Sequence, residues 1–351
     1  MICKREFGYS GDKRVFIYDI TNKNNAKISV TQAACALVSV VMPDKNGNYD
    51  DIVMGYDNPD EYIHNWMCPG AVIGRYAGRI GASKFVLNDK KYKLKKNWPG
   101  APYTLHSGSN GFQYRIWDEY DIDEDKGSVT FCMESKDGDQ GYPGNLLVKV
   151  TYTLTDDNEV KIKYDCISDK DTIINMTNHS YFNLAGHKSG SALDHMVKIN
   201  AEEVVALDKN MLPTGEIKSV TCSPLDFTKW KTVRQDFEKE QTGLSFFTGY
   251  DNCYVNSGNR GIMNKVAEVK EISTGRYMEV YTDMPGMQFY SANAIERKLV
   301  GKDGAHYREG DALCFETQFL TDAINHDNFG SPIIKAGERF ESETVYKFSV
   351  F

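Results

Sequence analysis

The feature that most constrains this chain is a pair of alternating runs near its middle. From Asn145 to Thr155, Val148, Val150, Tyr152 and Leu154 fall on one side of an extended chain, and Lys149, Thr151, Thr153 and Thr155 on the other. Asp156-Asp157-Asn158 breaks the run. Val160, Ile162, Tyr164 and Cys166 then resume the alternation against Lys161, Lys163 and Asp165. A period of two puts one face in a core and the other in water, as in an antiparallel hairpin. Shorter runs recur at Arg14–Tyr18, Ala36–Val41, Lys84–Val86, Ser128–Met133, Asp171–Met176, Met196–Ile199, Lys265–Glu271, Tyr277–Tyr281, Met287–Ser291 and Thr344–Val350. Turn formers such as Asn88-Asp89, Asp137-Gly138, Ser257-Gly258 and Ala336-Gly337 punctuate them.

Helical periodicity is confined to Asn58–Trp66 and to Thr232–Glu240. Strands do not alternate with helices, which disfavours a parallel α/β sheet. No repeat, linker or composition shift marks a boundary. The expected class is therefore all-β: a large antiparallel β-sandwich with few short helices, one domain over residues 1–351.

With 41% hydrophobic residues the chain can fill a sizeable core. A net charge of −8, with no basic patch interleaved with aromatics, excludes nucleic acid as the expected partner. The eight cysteines form no C-x-x-C pair, and several sit in apolar runs, as buried reduced thiols do. The N-terminus lacks the apolar core of a signal peptide, and the longest apolar run, about Ala33 to Met42, is shorter than the ~20 residues a bilayer needs. A cytoplasmic protein with no membrane partner is expected.

Chemistry concentrates in a few places. Glu316 is the only ionisable group in Cys314-Phe315-Glu316-Thr317-Gln318, so it is either a surface carboxylate on a short strand or a placed base. Gly74-Arg75-Tyr76-Ala77-Gly78-Arg79-Ile80-Gly81 sets two arginines among glycines. It is either a solvated loop or one where glycines such as Gly78 admit a ligand while a guanidinium binds it; residue type does not choose between Arg75 and Arg79. His106 lies in a small-residue loop, where a solvated imidazole is the plain alternative to a site. His179 sits among Asn178, Tyr181 and Asn183, whose amides and ring can fix an imidazole tautomer and stack a sugar-like ring; a satisfied core histidine is the alternative. Asp251 follows Gly249-Tyr250, as a turn cap or as an acceptor for vicinal hydroxyls. No H-E-x-x-H, no cysteine–histidine quartet, no G-x-S-x-G elbow and no dinucleotide fingerprint is present, so no metal and no cofactor is expected. The remaining inventory suits proton chemistry on a neutral polyol.

The stretches Gly74–Ile80, Leu105–Gly108, Asp137–Asn145, Thr177–Gly186, Leu212–Glu216, Gly249–Asp251, Pro285–Tyr290, Phe315–Gln318 and Asp322–Asn325 together resemble the aldose 1-epimerase (galactose mutarotase) family, in its order, from about residue 70 onward. The resemblance implies a mutarotase-like supersandwich and interconversion of the α and β anomers of free hexoses. It implies Glu316 as general base, His179 as general acid, His106 as a second histidine near the ring oxygen, and Arg79, Asp251 and Gln288 as hydroxyl binders. Gly78 and Tyr181 complete the expected site. The acid–base assignment calls for a cationic His179 and an anionic Glu316, each supported by the field of the other. A monosaccharide is the expected partner, with the protein a monomer or weak homodimer. Departures from the family pattern stand at Gly78, Asn252, Ala292 and Ala294, where pocket shape or donor count changes. Three other readings remain. A hexose-6-phosphate epimerase would draw on Lys95-Lys96 or Arg297-Lys298, a sugar sensor would not be catalytic, and a glycosidase would use Asp251 and Glu316 as its carboxyl pair.

Overall fold

The computed structural model describes residues 1–239, 241–242, 247–258, 260–295 and 300–351. Among these residues the strands pair antiparallel in two large sheets, an N-terminal sheet and several two-stranded ribbons. The largest sheet has nine strands in the order Asp118–Asp123, Ser128–Ser135, Leu146–Leu154, Glu159–Ser168, Arg339–Val350, Arg276–Thr282, Asn264–Lys270, Met196–Ile199 and Lys231–Thr232. The alternating hairpin forms its centre, with Val148 opposite Cys166 and Tyr152 opposite Ile162. Val148, Val150, Tyr152, Val160, Ile162 and Tyr164 are all buried, which is the face the alternation predicts.

A five-stranded sheet, ordered Pro213–Ser219, Glu203–Leu207, Asp251–Val255, Gly286–Tyr290 and Cys314–Gln318, packs on the nine-stranded one. One hydrophobic cluster runs through both, joining Val150, Tyr164 and Tyr346 to Phe289 and Phe315. The Tyr346 hydroxyl donates to the Phe315 carbonyl across the layers at 2.9 Å. The N-terminal sheet, Ile2–Ser10, Lys13–Thr21, Lys27–Thr31, Leu37–Pro43 and Tyr49–Asp51 in sequential order, joins the same core, where Tyr152 donates to the Cys35 carbonyl at 2.6 Å.

Asn58–Trp66 contains the helix Pro59–His64, started by the Asn58 side chain accepting from the Glu61 N–H and by a proline in its first turn. Within Thr232–Glu240 only Arg234–Phe237 is helical, and Glu240 lies outside the described residues. Of Asp171–Met176 only Thr172–Ile173 is a strand, on Ile333–Ile334. Beyond it the chain turns onto the arginine loop: Asn175 donates its N–H to the Arg75 carbonyl at 3.0 Å and accepts from the Ala77 N–H at 2.7 Å. Among the described residues no helix is long and apolar enough to cross a membrane.

Candidate active site

Strand register assembles the site. Asp251 lies opposite Tyr290, Cys253 opposite Gln288, and Gln288 opposite Glu316. Paired residues share a face, and residues two apart along a strand share it too. Asp251, Gln288, Tyr290 and Glu316 therefore project together from one side of the five-stranded sheet. Phe289 and Phe315, on the other side, pack at 5.3 Å in the core. Asn252 pairs with Phe289 and alternates away from Asp251, so this departure from the family pattern does not face the pocket.

Arg79 enters from the strand Arg79–Gly81, which pairs with Tyr103–Leu105. Its Nη2 donates to Asp251 Oδ2 at 2.8 Å, while Gln288 Nε2 donates to Asp251 Oδ1 at 2.6 Å. Burial acts to lower the guanidinium pKa, but Asp251 and the Tyr103 ring, 5.5 Å away, outweigh it and hold Arg79 above its ordinary value. Arg75 goes elsewhere. Its guanidinium is caged by the carbonyls of Ser135, Pro143 and Gly144 and by the Ser135 hydroxyl, which ties loops together.

The two histidines arrive on separate loops. His106 has φ +49° and is clamped to Gly78 in both directions: its N–H donates to the Gly78 carbonyl at 3.0 Å, and its Nδ1 accepts from the Gly78 N–H at 3.2 Å. Gly78 has φ +76°, a region that suits glycine. An accepting Nδ1 leaves the proton on Nε2. Burial, then the charges of His179 and Arg79, press the His106 pKa well below the usual range, so this ring is a neutral donor and not a proton source. His179 follows the strand Thr177–Asn178 and is anchored by backbone bonds to Gly70 and Ala71, both 2.9 Å. Its ring lies 5.7 Å from His106 and stacks on Tyr181 at 4.9 Å and 15°. The Tyr181 hydroxyl donates to the Met67 carbonyl at 3.1 Å, and its ring backs the imidazole. The Asn178 and Asn183 amides bond backbone carbonyls and do not set the imidazole tautomer.

At the centre His179 Nε2 stands 3.6 Å from Glu316 Oε1, both side chains nearly sealed from solvent. Burial works against the expected cationic–anionic pair. Burial, aided by Asp251 and opposed by Arg79, raises Glu316 well above the carboxylate range. Burial also lowers His179 to about 4, against its own backbone carbonyl and Asp251. Desolvation is the largest influence on both groups and pushes each toward its neutral form. The pair still holds one proton, and moving it across 3.6 Å gives the charged arrangement.

Tyr103, over Arg79, and Tyr290, whose ring meets His179 edge-on at 6.1 Å, were not singled out by sequence. Only strand register could have found them. Ala292 is fully buried behind Tyr181, and the Ala294 N–H donates to the Tyr290 hydroxyl at 3.0 Å. Of the two lysine–arginine candidates for a phosphate, Arg297-Lys298 lies outside the described residues, and Lys95 and Lys96 are exposed on a loop. Among the described residues no three His, Cys, Asp or Glu side chains converge as metal ligands.

A buried carboxylate 3.6 Å from an imidazole, beside an anchored acceptor and a fixed cation, is an arrangement that can carry acid–base chemistry. The comparisons with known proteins agree. The aldose 1-epimerase family model matches residues 17–347. Galactose mutarotase of Bos taurus is 36% identical over 324 residues, 92% of this chain and 91% of its own length. Aldose 1-epimerase of Escherichia coli K12 is 32% identical over 335 residues, 94% of both. The crystal structure of a GalM/aldose epimerase homologue from C. elegans superposes with a TM-score of 0.87 at 30% identity, covering 95% of this chain and 98% of that one. The chain belongs to the aldose 1-epimerase family.

Proposed function

We propose that this protein is an aldose 1-epimerase, an isomerase that interconverts the α and β anomers of free hexoses such as galactose and glucose, with Glu316 and His179 as its acid–base pair. The observation that carries the reading is the 3.6 Å approach of His179 Nε2 to Glu316 Oε1, two side chains nearly sealed from solvent. The hydroxyl and the ring oxygen of a cyclic aldose are bonded to the same carbon, so a base and an acid this close address both at once.

In the charged arrangement Glu316 takes the proton of the anomeric hydroxyl while His179 gives one to the ring oxygen. The bond from C1 to the ring oxygen breaks and an aldehyde forms. After rotation about C1–C2, both protons return and the ring closes on the opposite face. No electrons leave the sugar and no group departs. Arg79 favours the Glu316 carboxylate, whereas Asp251 opposes that carboxylate and favours the His179 imidazolium. The neutral His106 offers Nε2–H to the ring oxygen as a hydrogen-bond donor. Asp251, held by Arg79 and Gln288, accepts from sugar hydroxyls.

The buried free thiols Cys35, Cys68, Cys166, Cys253 and Cys314 support a cytoplasmic setting. Polarimetry of α-D-galactose and α-D-glucose tests the assignment. Glu316→Gln and His179→Asn should each lower the enzymatic rate by about 10²–10⁴-fold. A folded variant of either kind with near-wild-type rates would overturn the roles.

A further inference from the structure

We propose that Gln113 is a positioning residue for His106: its side-chain amide, lodged where Gly111 leaves room, fixes the backbone from which the His106 imidazole reaches the sugar. The proposal rests on the aldose 1-epimerase reading and deepens it by adding a support for the neutral hydrogen-bond donor of the site.

His106 opens a run of three left-handed residues, with φ +49° at His106, +65° at Ser107 and +96° at Gly108. Only the third is a glycine, so the surroundings must hold the first two in place. Ser107 is tied through its hydroxyl to the N–H and the carbonyl of Tyr76. Upstream, the Asn97 side chain donates to the Leu105 carbonyl at 2.9 Å and accepts its N–H at 2.8 Å. The His106 carbonyl has a single support among the described residues: it accepts from Gln113 Nε2 at 2.9 Å. Gly78 fixes the ring through Nδ1, and Gln113 fixes the peptide plane from which that ring extends.

Gln113 is poorly explained as core. It is fully buried, and its Oε1 finds no hydrogen-bond partner among the described residues. A sealed, unsatisfied acceptor costs stability that an apolar side chain of the same length would not. Gly111 points the same way. Its φ of −64° and ψ of −179° suit any residue, so the backbone does not call for glycine there. A methyl group at Gly111 would stand 2.5 Å from Gln113 Oε1 and 2.7 Å from the His106 carbonyl oxygen, and would push the two apart. Gln113 also has a firm mount. It sits in the 3₁₀ turn Phe112–Tyr114, whose Phe112 N–H donates to the Gly74 carbonyl at 2.9 Å and whose Phe112 carbonyl accepts from Trp117 Nε1 at 3.3 Å. The Phe112 ring fills the space that a side chain at Gly74 would need. Gly74 belongs to the loop that carries Gly78 and Arg79, so both supports of His106 are referred to one frame.

Polarimetry of α-D-glucose on the full-length protein tests the proposal. Gln113→Leu keeps the volume and removes the donor. The His106 donor acts on the ring oxygen as the bond to it breaks, so its loss of alignment should lower kcat about tenfold, the worth of one hydrogen bond, while KM stays within about twofold. Gly111→Ala should reproduce the loss of kcat. In a His106→Asn background Gln113→Leu should leave kcat unchanged, because its effect passes through the imidazole. Urea midpoints check that each variant is folded, and Gln113→Met gives the same reading should the leucine variant not fold. An unchanged kcat in a folded variant, a loss confined to KM, or an undiminished effect in the His106→Asn background overturns the positioning role and leaves the acid–base reading standing. A wild-type protein that accelerates no mutarotation overturns the functional reading and this proposal with it.

Discussion

Glu316 is conspicuous in sequence as the one carboxylate in its pentamer, but its protonation state comes from surroundings far away in the chain, Asp251 and Arg79 among them. Burial raises it, and burial lowers His179 to about 4. The consequence is a pH profile unlike that of a solvated histidine. The working form of the pair holds one proton. It is lost on the acid side only when His179 takes a second, near pH 4. On the alkaline side it is lost only when Glu316 gives up its proton, well above the ordinary carboxylate range. After subtraction of the uncatalysed rate, the acid limb of kcat/KM for α-D-glucose should have its midpoint near pH 4; an acid limb centred near the ordinary histidine value of about 6.5 would contradict this. His106 shows the same limit of local reading. Its loop was recognisable, whereas its neutral Nε2–H tautomer follows from the bond to Gly78.

The strand decides what its residues do. The paired strands Asp251–Val255, Gly286–Tyr290 and Cys314–Gln318 bring Asp251, Gln288 and Glu316 to one face through register alone. Register also separates two arginines that residue type left equivalent. Arg79 lies on the strand paired with Tyr103–Leu105 and meets Asp251, whereas Arg75 lies before it and is caged by carbonyls. Arg75→Met should therefore cost about 3–5 kcal/mol of stability, because buried acceptors lose their donors. The urea midpoint should fall while KM for galactose changes little. A variant of normal stability, or one whose main defect is KM, would return Arg75 to the sugar site. Asp171–Met176 failed as a full strand for a related reason: Asn175 is drawn into backbone bonds with the arginine loop, a partner far off in sequence.

At the scale of the whole molecule, the core that joins the sheets buries histidines remote from the chemistry. His195 accepts the Leu184 N–H on Nε2 at 2.9 Å, and burial, against the charges of Glu271 and Asp194, lowers it to about 4. Its folded pKa lies below its unfolded one, so the unfolded chain binds more protons between pH 4 and 6.5. Its contribution to stability is therefore complete above about 6.5 and is lost as the pH falls. His195→Gln keeps an acceptor for Leu184 and removes the titration. Between pH 7.5 and 5 wild type should lose about 2 kcal/mol more stability than this variant in parallel urea titrations. Parallel curves would show that His195 does not titrate as placed. By itself the sequence determined the antiparallel sandwich, because a period of two in apolar residues commits a chain to half-buried strands. It also marked the short stretches that the fold brings together around Glu316, because carboxylates, imidazoles and arginines among glycines and aromatics are few and locally distinct. Only the tertiary structure decided which arginine meets Asp251, which tyrosine backs His179, which amide holds the His106 carbonyl and where the shared proton rests. Those outcomes depend on distance and desolvation between segments far apart in the chain, and local sequence encodes neither.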